Sequence, residues 1–230
     1  MSKVISTKDN LLILHEDNHL IVINKRAGDI VQGDKTGDKP LSEVVKEYVK
    51  EKYNKPGEVF LGVVHRLDRP TSGIVVFART SKALTRLNEM FSNRETQKTY
   101  WAIVKNRPEN AEATLVHYLK RNEKNNTSKA HLKEVPESKK ASLEYKIIKE
   151  LDNYFALEIN LHTGRHHQIR AQLAAISCPI KGDLKYGFDR SNPDGGIHLH
   201  ARKLVFIHPV TKNLLQIIAE TPKDAIWNSI

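Results

Sequence analysis

The stretch that most constrains this chain is His65-Arg66-Leu67-Asp68-Arg69-Pro70-Thr71-Ser72-Gly73. It lies between two apolar runs, Leu61-Gly62-Val63-Val64 and Ile74-Val75-Val76-Phe77-Ala78. Short runs rich in Val and Ile, bounded by Gly and Pro, read as buried strands. A connection dense in charge therefore joins two core elements, and Pro70 and Gly73 force its path to bend. A core does not take in a carboxylate and two guanidiniums unless they are paired. Either this is an ordinary polar connection, or Asp68 is held among arginines for a purpose. Other parts of the chain bear on the choice.

Composition narrows the classes. With 230 residues, 39% hydrophobic and 28% charged, the chain can build a real core and is not of disordered type. Lys and Arg number 37 against 27 acids, a net charge of +10, which suits a polyanionic partner: nucleic acid first, an acidic membrane surface second. The single cysteine, Cys178, excludes an intrachain disulfide and a cysteine-based zinc site, and suits a reducing compartment. The N-terminal residues lack the apolar core of a signal peptide, and no apolar run reaches bilayer-spanning length. A soluble cytoplasmic protein is expected, with no membrane partner and with monomer as the default state. No repeat and no Pro-, Gly- or Ser-rich linker marks a boundary, so the expectation is one domain over residues 11–230 after an extension over 1–10.

In chain order, Leu11–His15 and His19–Asn24 predict a hairpin over Glu16-Asp17-Asn18. Lys25–Asp29 is a basic, Gly-containing loop, and residues 33–39 form a second polar loop. Leu41, Val44, Val45, Tyr48 and Val49 have helical spacing up to Tyr53, and Thr80 or Ser81 can cap a helix carrying Leu84, Leu87 and Phe91. Lys98–Val104 alternates as a strand, with Tyr100 among small and aliphatic neighbours, where packed core is the ordinary role. His117–Lys140 is the most polar stretch, either a solvated loop or irregular strands lying on RNA. Ser142–Glu150 and Tyr154–Leu161 predict further strands. In His162-Thr163-Gly164-Arg165-His166-His167-Gln168-Ile169-Arg170, the stripe Ile169, Leu173 and Ile176 predicts a helix from Arg165 or His166 to Ser177. That would place Arg165 at a helix N-terminus, where a cation needs an anionic partner. His198–Ile207 and Leu214–Glu220 close the chain as a hairpin.

Several chemistries lack their residues. His198 and His200 could share a strand face, but no acid at ligand spacing and no cysteine accompanies them, so no metal site is expected. There is no nucleophile elbow, no Walker A loop and no dinucleotide-binding glycine pattern. What remains is a carboxylate flanked by arginines in a basic protein. An interior arginine would hold Asp68 ionised, as a nucleophile or a base.

His65-Arg66-Leu67-Asp68-Arg69-Pro70-Thr71-Ser72-Gly73, then the strand around Lys98-Thr99-Tyr100, then the Thr163–Arg170 segment with Pro179–Gly187, stand in an order and spacing that resemble the RluA-like family of RNA pseudouridine synthases. The resemblance runs from about Leu11 to Pro222. It implies an α+β fold, the pseudouridine synthase catalytic fold: a mixed, mainly antiparallel sheet flanked by helices, with an RNA-binding cleft. About ten residues precede the first strand, so the form without the family's small N-terminal RNA-binding domain is expected.

The resemblance also implies roles. The catalytic aspartate falls on Asp68, the active-site tyrosine on Tyr100 and the arginine paired with the aspartate on Arg165, which the helix-start argument favours over Arg170. Arg66 is the side chain that takes the place of the flipped base, and His65, Arg69, Lys98 and Arg170 join it as RNA contacts. The implied reaction cuts uridine from its ribose at nitrogen 1, turns the uracil and rejoins it through carbon 5. Substrate and product are isomers, so no metal, redox cofactor or nucleotide cofactor is implied. Asp68 would attack sugar or base, or remove the proton on ribose carbon 2. The targets implied are ribosomal RNA first and transfer RNA second. Three residues depart from the family pattern: Gln172 in place of a His, Ser177 in place of a Gly, and Arg26 where Asn-Lys-Pro-Ala-Gly is usual. An RNA-binding or RNA-folding protein without catalysis, and a hydrolase that releases uracil, are the competing readings.

Overall fold

The computed structural model describes residues 4–34 and 36–230. Residues 1–3 of the expected extension and Lys35 of the polar loop lie outside them. The chain forms two compact units, one reaching to Thr96 and including Ala201–Pro222, the other made of Gln97–His200 and Lys223–Ile230. Two of the three boundaries fall at strands, at the start of β5 (Gln97–Val104) and inside β10 (Leu199–Ile207), and the third follows Pro222, so no linker composition announces them.

The first unit holds β1 (Ile13–Glu16), β2 (Leu20–Lys25), α1 (Leu41–Lys52), β3 (Gly62–Val63), β4 (Ser72–Ala78), α2 (Ser81–Ser92), most of β10 (Leu199–Ile207) and β11 (Leu214–Ile218). β1 and β2 form the expected hairpin; Asp17 shapes its turn by accepting from the backbone N–H groups of His19 and Leu20 at 2.7 and 2.8 Å. β2 lies antiparallel to β4, and both are buried along their whole length, as a strand covered on both faces must be. α1 buries Leu41, Val44, Val45 and Val49, the face its spacing predicts. α2 is capped by Thr80, whose hydroxyl accepts from Ala83 N at 3.2 Å. β10 and β11 pair antiparallel as the closing hairpin.

The second unit is an antiparallel sheet in the order β5 (Gln97–Val104), β9 (Phe155–Leu161), β8 (Lys139–Glu150), β6 (Glu112–Asn122), β7 (Thr127–His131). The polar stretch over 117–140 is thus largely strand. His117 and Leu119 are buried while Arg121, Lys124 and Lys129 stay exposed, so the stretch carries more charge to its surface than its strands bury. One core cluster joins Leu119, Ala141 and Ala171 with Tyr186. Another is built on Ile103, Ala156 and Trp227. Trp227 brings the C-terminal segment back into this unit and stacks on His198 at 5.3 Å, an element with no sequence periodicity to signal it. The architecture is the expected α+β class.

The helix of the Thr163–Arg170 segment is α3 (Gln168–Ala175), beginning two or three residues later than its apolar stripe suggests. His167 adopts a left-handed conformation (φ 51°) just before it. Arg165 therefore lies in a turn ahead of the helix, not on its first turn.

Candidate active site

In the first unit, the β2–β4 register ends with Lys25 opposite Gly73. The chain leaving β2 and the chain entering β4 therefore emerge at the same end of the sheet. Leaving β2, Arg26–Asp29 makes a turn with Asp29 N donating to Arg26 O at 3.4 Å and Gly28 at φ 98° in its third position, where a positive φ is needed. Lys25 is 1% exposed. Its ammonium donates to the carbonyls of Asp29, Arg26 and Arg69 at 2.7, 2.9 and 3.1 Å, one acceptor for each N–H. Burial pushes Lys25 down to about 7, against the pull of the Asp29 and Asp68 carboxylates and with Arg69 adding to the fall.

The same turn grips the charged connection. Gly28 N donates to Arg69 O at 2.8 Å, and Arg69 Nε donates back to Gly28 O at 3.2 Å. Thr71 N donates to Asp68 O at 3.0 Å. Leu67 is buried beside them. Backbone N–H groups thus hold the carbonyls of Asp68 and Arg69, and the half-buried Asp68 carboxylate leaves a fixed base.

The four residues expected to act from this connection take different places. Arg66 is exposed and Asp68 half-buried. Arg69 is half-buried and pairs with Asp38. His65 is turned inward: its Nε2 accepts from Val76 N at 3.1 Å, and its ring stacks on Phe91 at 4.8 Å. The expected RNA contact at His65 gives way to a lock between the connection and β4, because an imidazole that accepts a strand N–H is committed to that strand.

In the second unit, Lys98 and Tyr100 share a face of β5, and Tyr100 is 9% exposed opposite Ile159 of β9. A Cβ added at Gly164 would lie 3.9 Å from Lys98 Nζ, so the lysine reaches the Thr163-Gly164-Arg165 turn. That turn is organised by Gln168. Its Oε1 accepts from Thr163 Oγ1 at 2.7 Å and Arg165 N at 3.0 Å, and its Nε2 donates to Ser142 O at 3.0 Å. The half-buried Arg165 donates through Nε to Lys140 O at 3.2 Å.

Arg170 is buried. Its Nε and Nη2 donate to Asp183 Oδ2 and Oδ1 at 2.7 and 2.8 Å, and it lies over the Tyr186 ring. The expected RNA contact at Arg170 is corrected on this ground: both forks of the bidentate pair are committed to an internal carboxylate. Tyr186 OH then reaches His167 Nδ1 at 2.9 Å and accepts from Ser128 N at 2.8 Å, which ties β7 to the start of α3. Gln172, one of the departures, is fully buried and donates to Leu115 O, with His117 Nδ1 also at 3.1 Å. Burial lowers the pKa of His117. Sequence reasoning missed Lys25, Asp29, Gln168 and Asp183. The available signals were a lysine ending a strand that opens with four apolar residues and a Gly-Asp pair following Lys181. Among the described residues no three His, Cys, Asp or Glu side chains gather as a metal-binding group.

The family profile described as RNA pseudouridylate synthase matches residues 19–175. The chain belongs to the RNA pseudouridylate synthase family. Asp68, Tyr100 and Arg165 all lie inside the matched interval. It is 33% identical over 225 residues to the ribosomal large subunit pseudouridine synthase D of Xylella fastidiosa, covering 92% of this chain and 66% of that protein. It is 32% identical over 238 residues to the tRNA pseudouridine synthase C of Vibrio cholerae, covering 96% and 94%. The solved human RNA Pseudouridylate Synthase Domain Containing 4 shares the fold, with a TM-score of 0.79 at 24% identity over 94% of this chain and 90% of that one. No helix among the described residues is long and apolar enough to cross a membrane.

Proposed function

We propose that this chain isomerises uridine to pseudouridine in RNA, with Asp68 as the catalytic carboxylate. The observation that carries the reading is the Asp68 connection itself: a half-buried carboxylate on a main chain pinned by Lys25, Gly28 and Thr71, next to an exposed Arg66. A surface connection with no chemistry to perform has no need of a buried ammonium at its base. Preorganisation of this kind matters because a misplacement of about 1 Å costs on the order of 100-fold in rate.

In this reading residues 11–230 carry the catalysis. Arg66 enters the RNA stack when the target uridine leaves it, offsetting part of an unstacking cost of a few kcal/mol. Tyr100 stacks on the uracil and assists loss of the carbon 5 proton. Arg165 serves the same chemistry as the catalytic arginine. Lys98 and Arg69 contact RNA phosphates, and the net charge of +10 makes binding steeply salt-dependent. Ribosomal RNA is the first target, supported by relatives named for the large ribosomal subunit, and transfer RNA the second, supported by the Vibrio cholerae relative. A cytoplasmic monomer working without a cofactor fits that task.

The test is tritium release from uracil carbon 5 of cellular RNA, wild type against Asp68→Asn. Release by the wild type and loss of at least about 1,000-fold in the variant, with RNA binding retained, is expected. Equal release by both proteins removes Asp68 from the chemistry. Binding by both with release by neither makes the chain an RNA-binding protein, and free uracil makes it a hydrolase.

A further inference from the structure

The turn that supports Asp68 is itself held from outside, by residues that precede β1. Ser6 is 4% exposed and Asp29 5% exposed. Ser6 N donates to Asp29 Oδ1 at 3.1 Å, and Ser6 Oγ donates to Asp29 Oδ2 at 2.7 Å. Ser6 Oγ in turn accepts from Arg26 Nη1 at 3.0 Å. Arg26 also reaches Asn10: Nη1 donates to Asn10 Oδ1 at 3.2 Å and Nη2 to Asn10 O at 2.8 Å. Asn10 closes its own segment, with Oδ1 accepting from Thr7 N at 2.8 Å and its N–H donating to Thr7 O at 3.2 Å.

The guanidinium and the carboxylate at the two ends of the Arg26–Asp29 turn are therefore joined through one serine. The inner side of that turn faces Lys25 and Arg69 O, one residue from Asp68. A buried carboxylate must be satisfied, and Asp29 takes its two side-chain hydrogen bonds from Ser6. Removing Ser6 or the grip of Arg26 leaves Asp29 seeking water or Lys25 more strongly. Either response moves the ammonium that fixes the Asp68 connection.

We propose that Arg26, with the Ser6–Asn10 segment it grips, is a positioning residue that sets the placement of Asp68 through the Arg26–Asp29 turn. The proposal rests on the reading of Asp68 as the catalytic carboxylate. It assigns Arg26 a function as an outer brace, reached by a guanidinium long enough to span from the turn to Asn10.

The experiment compares Arg26→Ala, the pair Ser6→Ala with Asn10→Ala, and all three substitutions together, in the full chain, with Asp68→Asn run alongside. Steady-state tritium release gives kcat and KM per folded molecule, filter binding gives RNA affinity, and thermal unfolding reports the fold. Arg26→Ala is expected to lower kcat about tenfold, with KM and RNA affinity within twofold. The Ser6 and Asn10 pair should do the same, and the triple variant should be no slower than either, because all three act through one brace. Wild-type kcat in folded Arg26→Ala, or losses that simply multiply, overturns the proposal. If Arg26→Ala does not fold, Arg26→Lys gives the same reading, since one ammonium keeps the charge but cannot reproduce the forked grip on Ser6 Oγ, Asn10 Oδ1 and Asn10 O. An active Asp68→Asn instead overturns the reading beneath it, a result separate from an inactive Asp68→Asn with an unimpaired Arg26→Ala.

Discussion

The Asp68 connection of the first unit and the Thr163–Gln168 turn of the second are both tight, polar and built to hold a charged residue, but by opposite means. The first is held mostly through main-chain groups: carbonyls of Arg26, Asp29 and Arg69 converge on the buried Lys25 ammonium, Gly28 N donates to Arg69 O, and Arg69 Nε returns a bond to Gly28 O. The second is held by side chains: Gln168 collects Thr163, Arg165 and Ser142, and behind it Arg170 is locked to Asp183. The carbonyls of such a cradle could come from any residue, so its side-chain demands narrow to Lys25 at the centre and the Arg26 brace outside it. A side-chain cradle is only as rigid as each amide or carboxylate in it. The first should therefore respond to pH and backbone geometry, the second to single side-chain deletions.

The largest break should come from Gly73→Ala. Gly73 has φ 113°, and a Cβ there would run into the main-chain O and N of Ala201. A loss of about 5 kcal/mol or more in urea unfolding is expected, since neither backbone can yield without moving its strand. Next is Asp183→Ala, which leaves Arg170 buried without its carboxylate. About 3–5 kcal/mol should be lost, with Asp183→Asn losing less because it keeps one acceptor for the guanidinium.

The pH response sharpens the contrast further. Lys25 stands at about 7 in the native protein against an ordinary 10.5. Between those values the unfolded chain binds the extra proton, so this group makes stability rise as pH increases from about 7 toward 10, and flat below 7. Urea unfolding across that range should show the rise, and Lys25→Met should remove it. A rise that persists in Lys25→Met assigns the titration elsewhere. The smallest effect expected is Gln168→Ala, about 1–2 kcal/mol, with a selective loss of amide-exchange protection at Arg165 N.

Much of this architecture was legible in advance because the period of apolar residues reports which face is covered. Leu41, Val44, Val45 and Val49 have no other arrangement that buries them together, and α1 follows. The β1–β2 hairpin was readable from Asp17 and Asn18, whose side chains suit a tight turn. The start of α3 was misplaced because Gln168 captures Thr163 and Arg165 N, a local competition that an apolar stripe does not register. The polar 117–140 stretch left loop and strands both open because exposed charge outnumbers its buried positions. Trp227 and its segment were unreadable, since a lone aromatic near a chain end has no period at all.

For the site, residue types pointed to Asp68, and the ordered motifs pointed to a family whose resemblance implied Arg66, Tyr100 and Arg165. Sequence also set the basic charge, the apolar strands flanking the connection and the turn chemistry of Gly28 and Gly73. Tertiary structure alone decided which charges are internal. Arg170 and His65 look like RNA contacts until Asp183 and Val76 are seen to claim them. Lys25 looks like an ordinary strand-end lysine until three carbonyls, one of them 44 residues away at Arg69, close around it. The physical reason is that a charge is inexpensive in water and costly when buried, so its role is fixed by its partners. Those partners lie far along the chain, where no local pattern can place them.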